Sequence, residues 1–206
     1  MISTETLYWI LFGVPAIIIA STIHEYAHGW VAYKLGDPTA KAYGRLTLNP
    51  LSHIDPVGAI SMILFKFGWS KPVPINESNF ERRELGTALT ALAGPLSNAI
   101  LVLILGAINL IFRPNLDSIL GSLLFVFITV NISLAVFNLL PIPPLDGHKI
   151  VRALLPKKIR YYWEKMEKYS IIFILLIVLP FSPVGRFVGG LIISVLTAIL
   201  RLFKFL

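Results

Sequence analysis

Apolar positions run almost unbroken from about Leu7 to Tyr33. At 1.5 Å per residue that is enough helix to cross a hydrocarbon core of about 30 Å. The stretch lacks the basic start and small-residue cleavage site of a removable leader, so it predicts a retained helix, with Pro15 as a place for a kink. From Lys34 to Glu84 polar and apolar positions mix, and turn signals stand at Gly36-Asp37-Pro38, Asn49-Pro50, Asp55-Pro56 and Lys71-Pro72-Val73-Pro74. Within that region Val57 to Phe67 is apolar but too short to span. It predicts an interfacial or re-entrant segment, or a strand against the membrane domain. Two further spans follow, about Leu85 to Phe112 and about Leu116 to Leu140. The short Arg113-Pro114-Asn115 connection makes them antiparallel neighbours. Beyond Pro141-Ile142-Pro143-Pro144 lies a basic, aromatic linker, Lys149 to Lys168, whose Tyr161, Tyr162 and Trp163 suit a membrane interface. The tail from Tyr169 to Leu206 is apolar but broken at Pro180, Pro183, Gly185 and Arg186, giving one interrupted span or two short helices. The predicted fold class is mainly α: a polytopic transmembrane helical bundle with a short re-entrant or strand-like segment after the first span, forming one domain over residues 1–206.

Composition agrees with the pattern. Apolar residues make up 56% of the 206 and charged residues only 14%, with mean hydropathy +0.77, outside the soluble globular range. Soluble enzymes and nucleic-acid readers are thereby excluded. The net charge of +7 is then a matter of loops, since basic residues collect on the cytoplasmic side. The linker, with Lys149, Arg152, Lys157, Lys158, Arg160, Lys165 and Lys168 against Glu164 and Glu167, should face the cytoplasm. Two spans back, Lys34 to Glu84, with Lys34, Lys41, Arg45, Lys66, Lys71, Arg82 and Arg83, should do the same, leaving the N-terminus outside. Arg201 and Lys204 favour an inside C-terminus, and hence a final helical hairpin. The chain has no cysteine, so any metal must be held by His, Asp or Glu.

The first span contains His24-Glu25-Tyr26-Ala27-His28. Residues four apart share a helix face, so the two imidazoles can bind one zinc ion while Glu25 reaches water beside it. The alternative is two buried histidines bonded to backbone or to each other, although ionisable groups inside a span cost roughly 2.5–3.5 kcal/mol each and tend to be functional. A catalytic zinc site usually has a third protein ligand. Asp146 stands out, because it follows prolines that break a span and let backbone turn back into a protein-lined cavity. Read alone, it would be a solvated Asp-Gly turn.

Together, His24-Glu25-Tyr26-Ala27-His28 and Asn138-Leu139-Leu140-Pro141-Ile142-Pro143-Pro144-Leu145-Asp146-Gly147 resemble the site-2 protease family of intramembrane zinc metalloproteases, with its paired HExxH and NxxPxxPxDG signatures. Every fixed position fits. The resemblance covers a catalytic core of about residues 7–147, ahead of a C-terminal helical region at 149–206. It implies His24, His28 and Asp146 as Zn2+ ligands, Glu25 as the catalytic base, and Asn138 as a polar group near the substrate or the tetrahedral intermediate. His148 stands where many relatives carry a second glycine, which alters backbone freedom but removes no ligand. Asn49-Pro50-Leu51-Ser52-His53-Ile54-Asp55-Pro56-Val57-Gly58 resembles the NPxxHxDPxG element of a compact, mostly prokaryotic branch without PDZ or CBS domains. There His53 or Asp55 could orient a ligand or the substrate, or the element could be a stack of turns. Gly94-Pro95-Leu96-Ser97-Asn98 also matches the family's small-residue and Asn pattern, and serves packing at least as well as catalysis.

The function this implies is hydrolysis of peptide bonds in transmembrane or membrane-associated substrates near the cytoplasmic side of the bilayer, in a multi-pass protein of a prokaryotic cell membrane. Val57 to Phe67 is the expected edge that holds the substrate extended. The partners are a transmembrane protein substrate and the lipid bilayer, with no nucleic acid and no oligomeric state implied. A metal-binding transporter would also place His and Asp in mid-membrane, but the paired repeats of transporters are missing. An inactive membrane adaptor would not need His24, Glu25, His28 and Asp146 intact.

Overall fold

The computed structural model describes residues 3–65, 68–179 and 181–205. Lys66 and Phe67 of the predicted short segment and Pro180 of the predicted tail break lie outside the described residues, as do Leu206 and the first two positions. Helix α1 spans Thr4–Lys34 and includes a π-helical turn at Trp9–Gly13. Pro15 has no N–H and its ring crowds the carbonyl one turn back; the wider turn just before it accommodates both.

The described part of the Val57 to Phe67 run is helix, not strand. Helix α2 covers Pro56–Phe65, with Asp55 Oδ1 accepting the Gly58 N–H at 2.8 Å in the manner of an N-cap before a first-turn proline. Ten residues rise about 15 Å, half a bilayer core. The chain then returns extended over 68–76. A single antiparallel bridge, Ile54 to Ser70, and a bond from the Lys71 N–H to the His53 carbonyl hold it. Trp9 Nε1 donates to the Met62 carbonyl at 3.1 Å, docking α2 on α1.

Helices α3 (Arg83–Phe112) and α4 (Ile119–Asn138) form the expected antiparallel pair. α1 lies antiparallel to α3: His28 meets Thr90, and Ala20 meets Asn98. After the proline turns come α5 (Asp146–Leu154) and the basic, aromatic α6 (Lys157–Glu164). Arg152 pairs with Glu77 and Arg160 with Glu84, fastening this region to the start of α3.

The tail departs from both expected forms. α7 (Ser170–Val178) has nine residues, too few to span, whereas α8 (Pro183–Leu202) is long and apolar enough to cross a membrane. Ser182 caps α8 at the Gly185 N–H, 2.7 Å away. Leu200, Phe203 and Phe205 pack with Val102, Leu124 and Ile128, and Asn109 Nδ2 donates to the Phe203 carbonyl at 2.9 Å. The described chain therefore ends at the face that carries the α3–α4 turn, not beside the basic linker. Among the described residues the tail holds one helix long and apolar enough to cross, α8, where the expected inside C-terminus called for a two-span hairpin; the nine-residue α7 is too short to supply the second span. Four helices among the described residues are long and apolar enough to cross a membrane: α1, α3, α4 and α8.

Candidate metal centre

The four-residue spacing of His24 and His28 turns both rings to the buried side of α1, towards α3. Asp146 arrives from the first turn of α5, delivered by the prolines that end α4. Gly147 is what lets it arrive: a Cβ there would lie 2.2 Å from the Leu139 carbonyl oxygen and 2.4 Å from that of Leu140.

His24 Nε2 and His28 Nε2 stand 3.0 Å apart, and Asp146 Oδ2 lies 3.1 Å from the first and 3.2 Å from the second. All three side chains are buried. Among the described residues this trio is the cluster of His and carboxylate groups that could hold a metal ion. The fit can be judged from the donors. A tetrahedral ion with bonds of about 2.0–2.1 Å has donor-to-donor edges of about 3.3 Å, close to those seen here. His28 Nδ1 lies 2.7 Å from the Thr90 carbonyl, which can only accept, so the neutral ring carries its proton on Nδ1 and turns a lone pair inward. His24 Nδ1 lies 2.7 Å from Asn98 Oδ1. With Asp146, lone pairs converge on one point, which calls for a cation. Gly94 on α3 keeps that point clear: a Cβ there would sit 2.4 Å from His28 Nε2 and 2.5 Å from His24 Nε2. The residues fit a small divalent ion such as zinc.

Glu25, next to the imidazoles, accepts the Val73 N–H at 2.8 Å and the Ser70 hydroxyl at 3.2 Å. It lines a cavity of about 540 Å³ together with His24, His28, Val73, Asn138 and Asp146. Asn138 donates one amide hydrogen to the Leu134 carbonyl at 3.0 Å, leaving its oxygen and second hydrogen for the cavity. Lys149, read from the sequence only as a basic linker residue, lines the same space with its ammonium 4.0 Å from Asp146 Oδ1.

The two other singled-out histidines lie elsewhere. His53 Nε2 is 2.8 Å from the Thr47 carbonyl, and the His53 carbonyl accepts the Lys71 N–H, so the Asn49 to Gly58 element, turns that run into the first residues of α2, holds the extended segment. The ring of His148 stacks on Trp163 at 5.1 Å, and Trp163 Nε1 donates to the His148 carbonyl at 3.1 Å. That contact ties α5 to α6. Thr90, Ser70, Val73 and Asn131 were not singled out in the sequence. Thr90 and Val73 act through backbone atoms, which no side-chain pattern encodes.

Comparison with known proteins points to zinc metalloproteases. The sequence profile of Peptidase family M50 matches residues 104–180, the part that carries Asn138 and Asp146. YwhC of Bacillus subtilis, provisionally named a zinc metalloprotease, is 40% identical over 182 residues, covering 85% of this chain and 82% of its own. Rip2 of Mycobacterium tuberculosis, with the same provisional name, is 28% identical over 187 residues, 86% of this chain and 72% of its own. The zinc metalloprotease MJ0392 of Methanocaldococcus jannaschii is 26% identical over 160 residues, 78% of this chain and 39% of its own. No solved structure gives a significant match. On the strength of its identity to YwhC across most of both chains, together with the profile match over the Asp146 segment, the chain belongs to peptidase family M50, the site-2 protease family.

Proposed function

We propose that this chain is a zinc-dependent intramembrane endopeptidase that cuts transmembrane or membrane-associated proteins near the cytoplasmic side of a prokaryotic cell membrane. His24, His28 and Asp146 hold the zinc, and Glu25 is the catalytic base. The observation that carries this reading is the convergence of three donor atoms within 3.2 Å of one another, with the Glu25 carboxylate in the same cavity. Zinc, when bound, supplies a Lewis acid that polarises a carbonyl and lowers the pKa of water towards neutrality. Glu25 takes a proton from the attacking water and passes it to the leaving amine. Asn138 directs its free amide atoms at the substrate carbonyl or the oxyanion formed from it.

A peptide bond in an intact helix is inaccessible, because its carbonyl is already hydrogen-bonded, so the substrate has to be drawn out locally. The extended run over 68–76 takes the part expected of Val57 to Phe67. Pro72, Val73 and Ile75 line the cavity, and an unwound substrate lies alongside them. Under the positive-inside assignment the basic α5–α6 region is cytoplasmic. His28 and His24 then lie six and ten residues before the inner end of α1, roughly 9 and 15 Å deep along its axis.

The test is cleavage of a tagged transmembrane protein by the purified enzyme in lipid vesicles. Turnover is expected with zinc, lost on chelation, restored by zinc, and absent from Glu25→Gln. A metal-bound wild type that cuts none of a panel of single-span substrates, while moving zinc across the vesicle, would favour a transporter instead.

A further inference from the structure

We infer that Asn131 is a positioning residue that fixes, through Asn98, which nitrogen of His24 carries the proton. The inference rests on His24 being a metal ligand. The Phe127 carbonyl on α4 can only accept a hydrogen bond, and Asn131 faces it at 2.8 Å. Asn131 must therefore turn its Nδ2 to Phe127 and its Oδ1 the other way. That oxygen receives Asn98 Nδ2 at 2.8 Å. A second acceptor, the Ala20 carbonyl on α1, lies 3.3 Å from the same Asn98 nitrogen. Asn98 is left with only its oxygen towards His24, 2.7 Å from Nδ1. An oxygen there requires Nδ1 to bear the hydrogen, so Nε2 keeps its lone pair for the metal.

Asn98 is fully buried and Asn131 nearly so. A flipped Asn98 amide would offer N–H to Nδ1, move the imidazole proton to Nε2 and close the ligand position. His28 needs no such relay, because a backbone carbonyl orients it directly. The polarity of one ligand is thus set from α4, a helix that contributes none of the three proposed ligands.

Asn131→Leu and Asn131→Asp separate this role from packing. Leucine is apolar, of similar volume and suited to a membrane interior, but it offers Asn98 no acceptor. Aspartate is costly to bury there, yet it keeps an oxygen towards Asn98 whether or not it is ionised. Zinc affinity of the detergent-purified protein, from chelator competition, is expected to fall about tenfold in Asn131→Leu and to stay within about threefold of wild type in Asn131→Asp. The visible spectrum of the cobalt-substituted protein should follow the same order. Circular dichroism and thermal unfolding identify any variant that fails to fold, and Asn98→Asp, which keeps an oxygen for His24, serves in place of such a variant and is expected to retain zinc. Equal affinity for wild type and Asn131→Leu, or weaker binding by Asn131→Asp than by Asn131→Leu, overturns the inference. His24→Ala is the control for the underlying reading: if it leaves zinc affinity unchanged, the ligand assignment fails first.

Discussion

Glu25 Oε2 accepts the backbone N–H of Val73, 48 residues later in the chain, at 2.8 Å. With the Ser70 hydroxyl on its other oxygen, the proposed base is fastened to the wall along which the proposed substrate would be drawn out. Glutamine keeps an acceptor for Val73 but cannot take a proton from water. Glu25→Gln should therefore retain zinc and the path of the 68–76 segment while turnover falls by at least about a hundredfold. Single-turnover cleavage and chelator competition on the same preparation check this. Turnover above a tenth of wild type would remove Glu25 from the mechanism.

Asp146→Ala should weaken zinc binding and activity together, because it deletes a proposed ligand. His53→Ala and His148→Ala should leave zinc affinity near that of wild type, since one ring faces the Thr47 carbonyl and the other stacks on Trp163. Unchanged affinity in Asp146→Ala would send the search for the third ligand back to these two histidines.

Gly94→Ala places a methyl group against both Nε2 atoms. Zinc affinity is expected to drop about ten- to a hundredfold with helix content and detergent behaviour unchanged, because the cost falls on the ligand geometry rather than on the fold. Wild-type affinity in this variant would mean that the ion sits away from the Gly94 face.

Asp37 is fully buried and receives hydrogen bonds from the Thr39 N–H and hydroxyl, the Asn76 N–H and the Asn79 amide. Burial pushes its carboxyl up, but these bonds outweigh it and hold the group below its ordinary value. A depressed folded value means that the stabilisation is present above the unfolded pKa, about 4, and is lost as pH falls through the lowered one. Asp37→Ala should cost about 2–4 kcal/mol and flatten the loss of thermal stability as pH falls below about 4. A variant that keeps the acid sensitivity of the wild type would assign it to another carboxylate.

Topology is open to the same kind of check, because the chain has no cysteine. Single cysteines at Ser78 and Lys157 should react with an impermeant reagent only from the cytoplasmic side, and cysteines at Asp117 and Lys204 only from the outside. Cytoplasmic labelling of Lys204→Cys would restore the two-span tail.

The motifs and the first three spans were legible because each is local: HExxH needs one helix turn, and a span needs only length and hydropathy. Asp55-Pro56 was read as a turn although Asp before Pro is also a helix start, and ten apolar residues cannot be told apart as strand or helix by periodicity. Arg201 and Lys204 misdirected the tail because where α8 ends is set by Leu200, Phe203 and Phe205 packing against α3 and α4, a long-range contact that local charge does not encode. Thr90 and Val73 were out of reach for a different reason. Each works through a backbone atom brought to the site by residues 62 and 48 positions away.

The centre joins His24 to Asp146, 122 residues apart, in a chain without a single sulfur bridge. With the ion bound, α1, which carries His24 and His28, and α5, which carries Asp146, would be pinned at one point, much as a disulfide pins a loop. Closing a loop of about a hundred residues removes entropy worth about 4–5 kcal/mol from the unfolded chain. The proposed catalytic metal would then serve as the protein's one cross-link, and an enzyme stripped of zinc should lose mechanical coherence as well as chemistry.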